Sequence, residues 1–144
     1  MEILLLSHHG IASGMKRAAN MIVGESANDI ATIELTAEDG VEVFTKQVED
    51  YITQWLVNGK IGVIFSDIKG GTPFNKAEML LSKHGLNAQA KVICGMNLAM
   101  IVDCLFKEIP EWNMKEVEDI LTTGKDSISC MDLVAHTDNE SEDE

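Results

Sequence analysis

Short apolar runs alternate with longer segments of helical period along this chain, and that alternation leaves few folds open. Four runs, Ile3–Ser7, Ile30–Leu35, Ile61–Ser66 and Lys91–Cys94, have strand length and end in turn formers. After the first, Ile11, Met15, Ala18, Ala19 and Ile22 recur three or four apart and stop at Gly24, which predicts an amphipathic helix. A second helix is expected to begin at Thr36-Ala37-Glu38-Asp39 and continue through Val41, Phe44, Val48, Ile52 and Trp55 to Asn58-Gly59. A third starts at Pro73, buries Phe74, Ala77, Leu80 and Leu81, and closes at Gly85. Two more follow over residues 98–107 and 114–123. Strand, crossover helix and strand in this order predict an α/β fold: an open, mostly parallel sheet of about four strands with helices on both faces. The segment from Ser127 to His136 is β-prone with no helix after it. It needs an edge, found either antiparallel on its own sheet or on the sheet of another subunit.

The 144 residues suit one domain, expected over 1–137. Residues 138–144 form an acidic, apolar-free tail that reads as disordered. Eleven Lys and Arg against twenty-four Asp and Glu give a net charge of −13. Such a balance repels nucleic acid and anionic membrane surfaces. No apolar run approaches the roughly 18 residues of a membrane span, and Glu2 does not fit a basic signal-peptide start. Cys94, Cys104 and Cys130 form no CxxC pair, so reduced thiols and a cytoplasmic location are expected.

In an open α/β sheet, ligands bind beyond the carboxyl ends of the strands. There the chain places Ser7-His8-His9-Gly10 after the first run, Asp67-Ile68-Lys69-Gly70-Gly71-Thr72-Pro73 after the third, and Cys94-Gly95-Met96-Asn97 after the fourth. A neutral imidazole at a helix start is a competent nucleophile toward phosphorus, and the nearby backbone N–H groups favour an anion. A carboxylate on the other ring nitrogen fixes the tautomer, and Asp67 is the candidate. Gly70-Gly71 can turn donors toward a phosphate, and Thr72 with Pro73 makes a helix start. Each residue alone also has a structural reading: a satisfied histidine, a turn-forming aspartate, methionines as core filler, cysteines as small hydrophobes. The combination on adjacent loops is what carries the chemistry.

The strings Ser7-His8-His9-Gly10-Ile11-Ala12-Ser13-Gly14, Phe65-Ser66-Asp67-Ile68-Lys69-Gly70-Gly71-Thr72-Pro73-Phe74-Asn75 and Cys94-Gly95-Met96-Asn97-Leu98-Ala99-Met100 resemble the EIIA domain of the mannose class of the bacterial sugar phosphotransferase system. The resemblance runs from about Met1 to Lys107. It implies a phosphocarrier that takes a phosphoryl group from HPr on the histidine before the glycine, His9, and passes it to EIIB. Asp67 would orient that imidazole, and Gly10, Ser13, Gly71 and Thr72 would hold the phosphate. It implies no cofactor and no metal, contact with the membrane complex only indirectly, and a homodimer that exchanges the final strand. His8 departs from the commoner small or apolar residue there. Since neighbouring strand residues face opposite ways, only one of the two imidazoles should reach the pocket, and His9 is the one expected. Ile11, Met15, Ile68 and Met96 would rim the site for partner docking. The alternatives are an EIIA-like regulatory module whose phosphorylation is a signal, and a small metal chelatase using both histidines.

Overall fold

The computed structural model describes residues 1–131. Their order is β1 (Ile3–His8), α1 (Ile11–Val23), a single 3-10 turn (Gly24–Ala27), β2 (Ala31–Leu35), α2 (Gly40–Trp55), β3 (Gly62–Ser66), α3 (Thr72–Lys83), β4 (Ala90–Ile93), α4 (Leu98–Leu105) and α5 (Met114–Asp126). The strands form one parallel sheet in the order β2-β1-β3-β4, so β1 is internal and β4 lies at an edge. This is the expected α/β architecture.

Alternation along the strands divides the core in two. Ile3 and Leu5 of β1, with Val63 and Phe65 of β3, pack under α1, α4 and α5 against Ala12, Ala19, Met100, Ile101 and Ile120. Leu4 and Leu6, with Ile64, pack on the other face against Phe44, Val48 and Ile52 of α2 and Ala77, Leu80 and Leu81 of α3. Each fully buried Leu or Ile contributes on the order of 1.5–3 kcal/mol, which is why β1 and β3 read as unbroken apolar runs.

Several boundaries differ from the sequence reading. Thr36 accepts the Asp39 N–H on its Oγ1 at 3.2 Å, forming a turn that delays α2 to Gly40. The buried face of α1 centres on Ala12 and Ala19, leaving Ile11 and Ile22 exposed. The close approach of helix to sheet selects small residues there and turns the bulky ones outward. α5 runs three residues past its expected end. Of the strand expected over 127–136, residues 127–131 are described and form no strand; Ser127 closes α5 by donating its hydroxyl to Gly124 O at 2.6 Å. Residues 132–136 and the acidic tail 138–144 lie outside the described residues.

The foot of the sheet is tightly packed. A Cβ on Gly62 would overlap the Trp55 ring, while Trp112 donates Nε1–H to the Gly62 carbonyl at 3.1 Å from the other face. Gly62→Ala is expected to destabilise the fold by about 1–3 kcal/mol through overpacking. A urea midpoint equal to that of the wild type would show that the indole yields freely.

Candidate active site

β1 extends the alternation Leu4, Leu6, His8, so the His8 side chain leaves the sheet on the α3 side, toward the β3–α3 loop. There the His8 Nδ1 lies 2.8 Å from Asp67 Oδ2, and the same oxygen accepts the His8 backbone N–H at 2.9 Å. Asp67 Oδ1 accepts the Ile68 N–H at 3.0 Å. The carboxylate is thus held by three donors with its side chain only 8% exposed, while the His8 side chain is 47% exposed. Burial opposes the Asp67 charge, yet the His8 N–H, the His8 ring and the Ile68 N–H outweigh it and hold the carboxyl below its ordinary range. An ionised carboxylate only accepts, so the neutral ring carries its proton on Nδ1 and a lone pair on Nε2.

The expected pairing of Asp67 with His9 is therefore corrected: Asp67 grips His8. The reason is strand parity. His9 lies one residue beyond the end of β1, exposed in the turn, and its electrostatic influence falls on Glu34 at the end of β2. Because every residue of the run Ile3–Leu6 is buried, the sequence pattern does not reveal which parity faces α3.

The β3–α3 loop closes over the His8 ring. Gly71 caps α3 in extended conformation without any side-chain cap, Thr72 is the first helical residue and Pro73 the second. A Cβ on Gly71 would stand 2.7 Å from Ile68 Cγ2 and 3.3 Å from His8 Cε1, so the bare glycine allows ring and helix start to meet. Asn75 donates Nδ2–H to Gly70 O at 2.9 Å and stiffens the loop. This puts the N-terminal end of α3 beside the imidazole, with the partial positive charge that such an end carries.

The start of α1 is built differently. Gly10 adopts φ +89°, a turn that favours glycine, and two of the backbone donors that follow it are engaged within the protein. Ala12 N–H donates to Ser7 Oγ at 2.8 Å, and Ser13 N–H to Glu34 Oε2 at 2.8 Å. Burial raises the Glu34 pKa, but bonding from Ser13 and Gly10 and the attraction of His9 more than offset it, so it lies below its ordinary range. Of the four expected phosphate donors, Gly71 adjoins the His8 ring and Thr72 follows it as the first residue of α3, whereas the Ser13 N–H serves a carboxylate of the protein. Sequence reasoning missed Glu34. Its signal was a charged side chain near the carboxyl end of an otherwise apolar strand.

The third loop is structural. Asn97 caps α4 by accepting the Met100 N–H at 3.1 Å and donates Nδ2–H to Gly124 O at 3.2 Å, joining α4 to α5. Of the expected rim, Ile11 and Ile68 are 41% and 56% exposed, while Met15 is half-buried and Met96 buried in the core. Among the described residues no group of three His, Cys, Asp or Glu is placed to hold a metal ion, and no helix is long and apolar enough to cross a membrane.

An exposed nucleophilic imidazole, oriented by a buried carboxylate and facing a helix N-terminus, is an arrangement for phosphoryl transfer. Comparison with known proteins agrees. The family described as PTS system fructose IIA component (EIIA-man) matches residues 2–121. The chain is 35% identical over 106 residues to the sorbose-specific EIIA component of Lacticaseibacillus casei, covering 72% of this chain and 70% of that protein. The solved mannose/sorbose-specific IIA subunit from Enterococcus faecalis superposes with a TM-score of 0.77 at 27% identity, covering 90% of this chain and 93% of that one. The IIA protein associated with the fucose utilization operon of Streptococcus pneumoniae shares the fold at a TM-score of 0.77 and 24% identity, over 93% and 95% of the two chains. Such matches displace the chelatase reading. The chain belongs to the mannose-class EIIA family of the sugar phosphotransferase system, and its role lies in sugar phosphotransfer.

Proposed function

We propose that the protein carries a phosphoryl group on His8 Nε2, accepting it from phospho-HPr and yielding it to an EIIB component during sugar uptake. The observation that supports this most is the 2.8 Å bond between His8 Nδ1 and Asp67, which in the neutral ring assigns the lone pair to Nε2 of a side chain that is 47% exposed. In the accepting step the lone pair on Nε2 forms an N–P bond as the N–P bond of the HPr phosphohistidine breaks. The HPr imidazole leaves with the electron pair, and no proton need move. The His8 ring then carries positive charge, which the Asp67 carboxylate stabilises. The phosphoryl oxygens would take donors at the start of α3, around Gly71 and Thr72. Little else is asked of the protein, since loose phosphoryl transition states respond chiefly to positioning and local charge.

Gly10 and Ser13 serve in this reading to shape the β1–α1 loop, and His9 stands beside the site without being its acceptor. Ile11 and Ile68 offer an apolar rim for transient docking of both partners. The protein would act in the cytoplasm as a homodimer of domains spanning 1–137, meeting the membrane complex only through EIIB. An exchanged final strand would find a place on β4, which pairs only with β3 among the described residues.

The test is incubation with phosphoenolpyruvate, enzyme I and HPr, followed by intact mass. One acid-labile phosphoryl group per chain is expected, discharged when a mannose-class EIIB domain is added. No incorporation would overturn the reading.

A further inference from the structure

α1 and α4 pack side by side on one face of the sheet and leave between them an open groove of about 470 Å³. Its walls are Ile22 of α1 and Leu98, Ala99, Val102 and Asp103 of α4, with Phe106 just past the helix end. Leu98, Val102 and Phe106 recur every fourth residue and so form one ridge. Their surroundings are unusually open for such side chains: Phe106 is 63% exposed, Ile22 59%, and Met21 beside it 91%. A patch of this kind marks a surface that another molecule covers.

Charge says which molecule. Acidic residues are 24 of the 144, about two in a helix of this length, yet α1 has none and carries Lys16 and Arg17. Arg17 is exposed one turn before Met21 and makes no ion pair among the described residues. On the α4 wall, the Asp103 side chain is 44% exposed, and its contacts with Thr123 and Lys107 fall on Oδ2, leaving Oδ1 to spare. One face thus presents a projecting ring, a groove, a cation and a carboxylate. A two-fold axis turns α1 of one copy onto α4 of the next and brings each feature against its complement. A foreign acidic helix would answer Arg17 but meet Asp103 with like charge. We infer that the α1–α4 face is a self-complementary interface between two copies of this chain, Phe106 of each entering the groove of the other and Arg17 of each meeting Asp103 of the other.

This face is separate from the β4 edge, so its pairing doubles whatever assembly an exchanged final strand would make. Ile22 and Phe106 stand at the ends of α1 and α4 away from the carboxyl-end loops, which leaves the candidate active site open. The inference does not depend on the phosphocarrier reading.

The experiment measures molar mass by light scattering after size exclusion of the full chain. The wild type is expected at twice the mass of Phe106→Asp, whose fold should survive because the ring is largely exposed. Arg17→Asp and Asp103→Arg are each expected to dissociate about tenfold more readily, since each sets like charges opposite one another twice per interface. An equimolar mixture of these two variants is expected to pair again, because each supplies the charge that the other lacks. Misfolding of a variant, or a groove covered by another segment or a foreign protein, gives no such restoration. Equal masses for the wild type and Phe106→Asp, or a mixture no more associated than its components, would overturn the inference.

Discussion

His8→Ala is expected to abolish acid-labile phosphoryl incorporation from phospho-HPr, whereas His9→Ala is expected still to take up one group per chain. Among the described residues, only His8 has a ring nitrogen engaged by a carboxylate whose side chain is 8% exposed, at 2.8 Å from Asp67 Oδ2, and in the neutral ring this assigns the lone pair to Nε2. Among the described residues His9 has no carboxylate bonded to its ring and sits past the strand end in the turn. The fold should survive the change, since the His8 side chain is 47% exposed and fills no core space. Intact mass spectrometry of the two variants separates the assignments, and incorporation lost in His9→Ala but kept in His8→Ala would reverse them.

Asp67→Asn is expected to slow phosphoryl transfer by about 10²- to 10⁴-fold, the range by which a misdirected general base or tautomer reduces such catalysis. The substitution keeps size and leaves an oxygen for the His8 N–H. Its amide N–H, however, now faces Nδ1, where it can only donate. The ring then prefers the tautomer with the proton on Nε2, the atom that must attack. The neutral amide also withdraws the charge that stabilises the phosphorylated ring. Single-turnover transfer from phospho-HPr measures the loss, and a rate within about twofold of wild type would remove Asp67 from this role. Imidazole tautomer populations by nitrogen NMR offer a second readout, independent of turnover.

Most of the sheet was legible because parallel strands buried on both faces must be apolar throughout, as Ile3–Leu6 and Gly62–Phe65 are. The same property hid the decisive detail. A strand that alternates polar and apolar residues declares which parity faces which layer; β1 does not. The sequence thus brought an imidazole and a carboxylate to adjoining loops while leaving open which imidazole. The small residues of α1 hid its orientation in a similar way: Ala12 and Ala19 carry the contact, while the bulkier Ile11 and Ile22, which dominate the hydrophobic pattern, face outward. Glu34 was invisible for another reason. A carboxylate that caps a helix from a neighbouring strand leaves no mark in local spacing, since Ser13 and Glu34 are 21 residues apart.

The overall charge of −13 also gains a meaning. A phosphoryl dianion gains nothing from the surface as a whole, so under the proposed function its retention would rest on the short-range field at the start of α3 and on the His8–Asp67 pair. Added salt should accordingly alter partner encounter more than the stability of the phosphorylated state.

The central place of β1 has a kinetic consequence as well. It is hydrogen-bonded along both edges, to β2 and to β3, and Ile3 to Ser7 are all buried. Its amide protons should therefore exchange with solvent only when the whole domain opens. His8 is attached to the end of that segment rather than to a loop that frays by itself. Loss of phosphoryl acceptance on heating should then coincide with global melting, with no earlier phase in which a folded protein has lost its site.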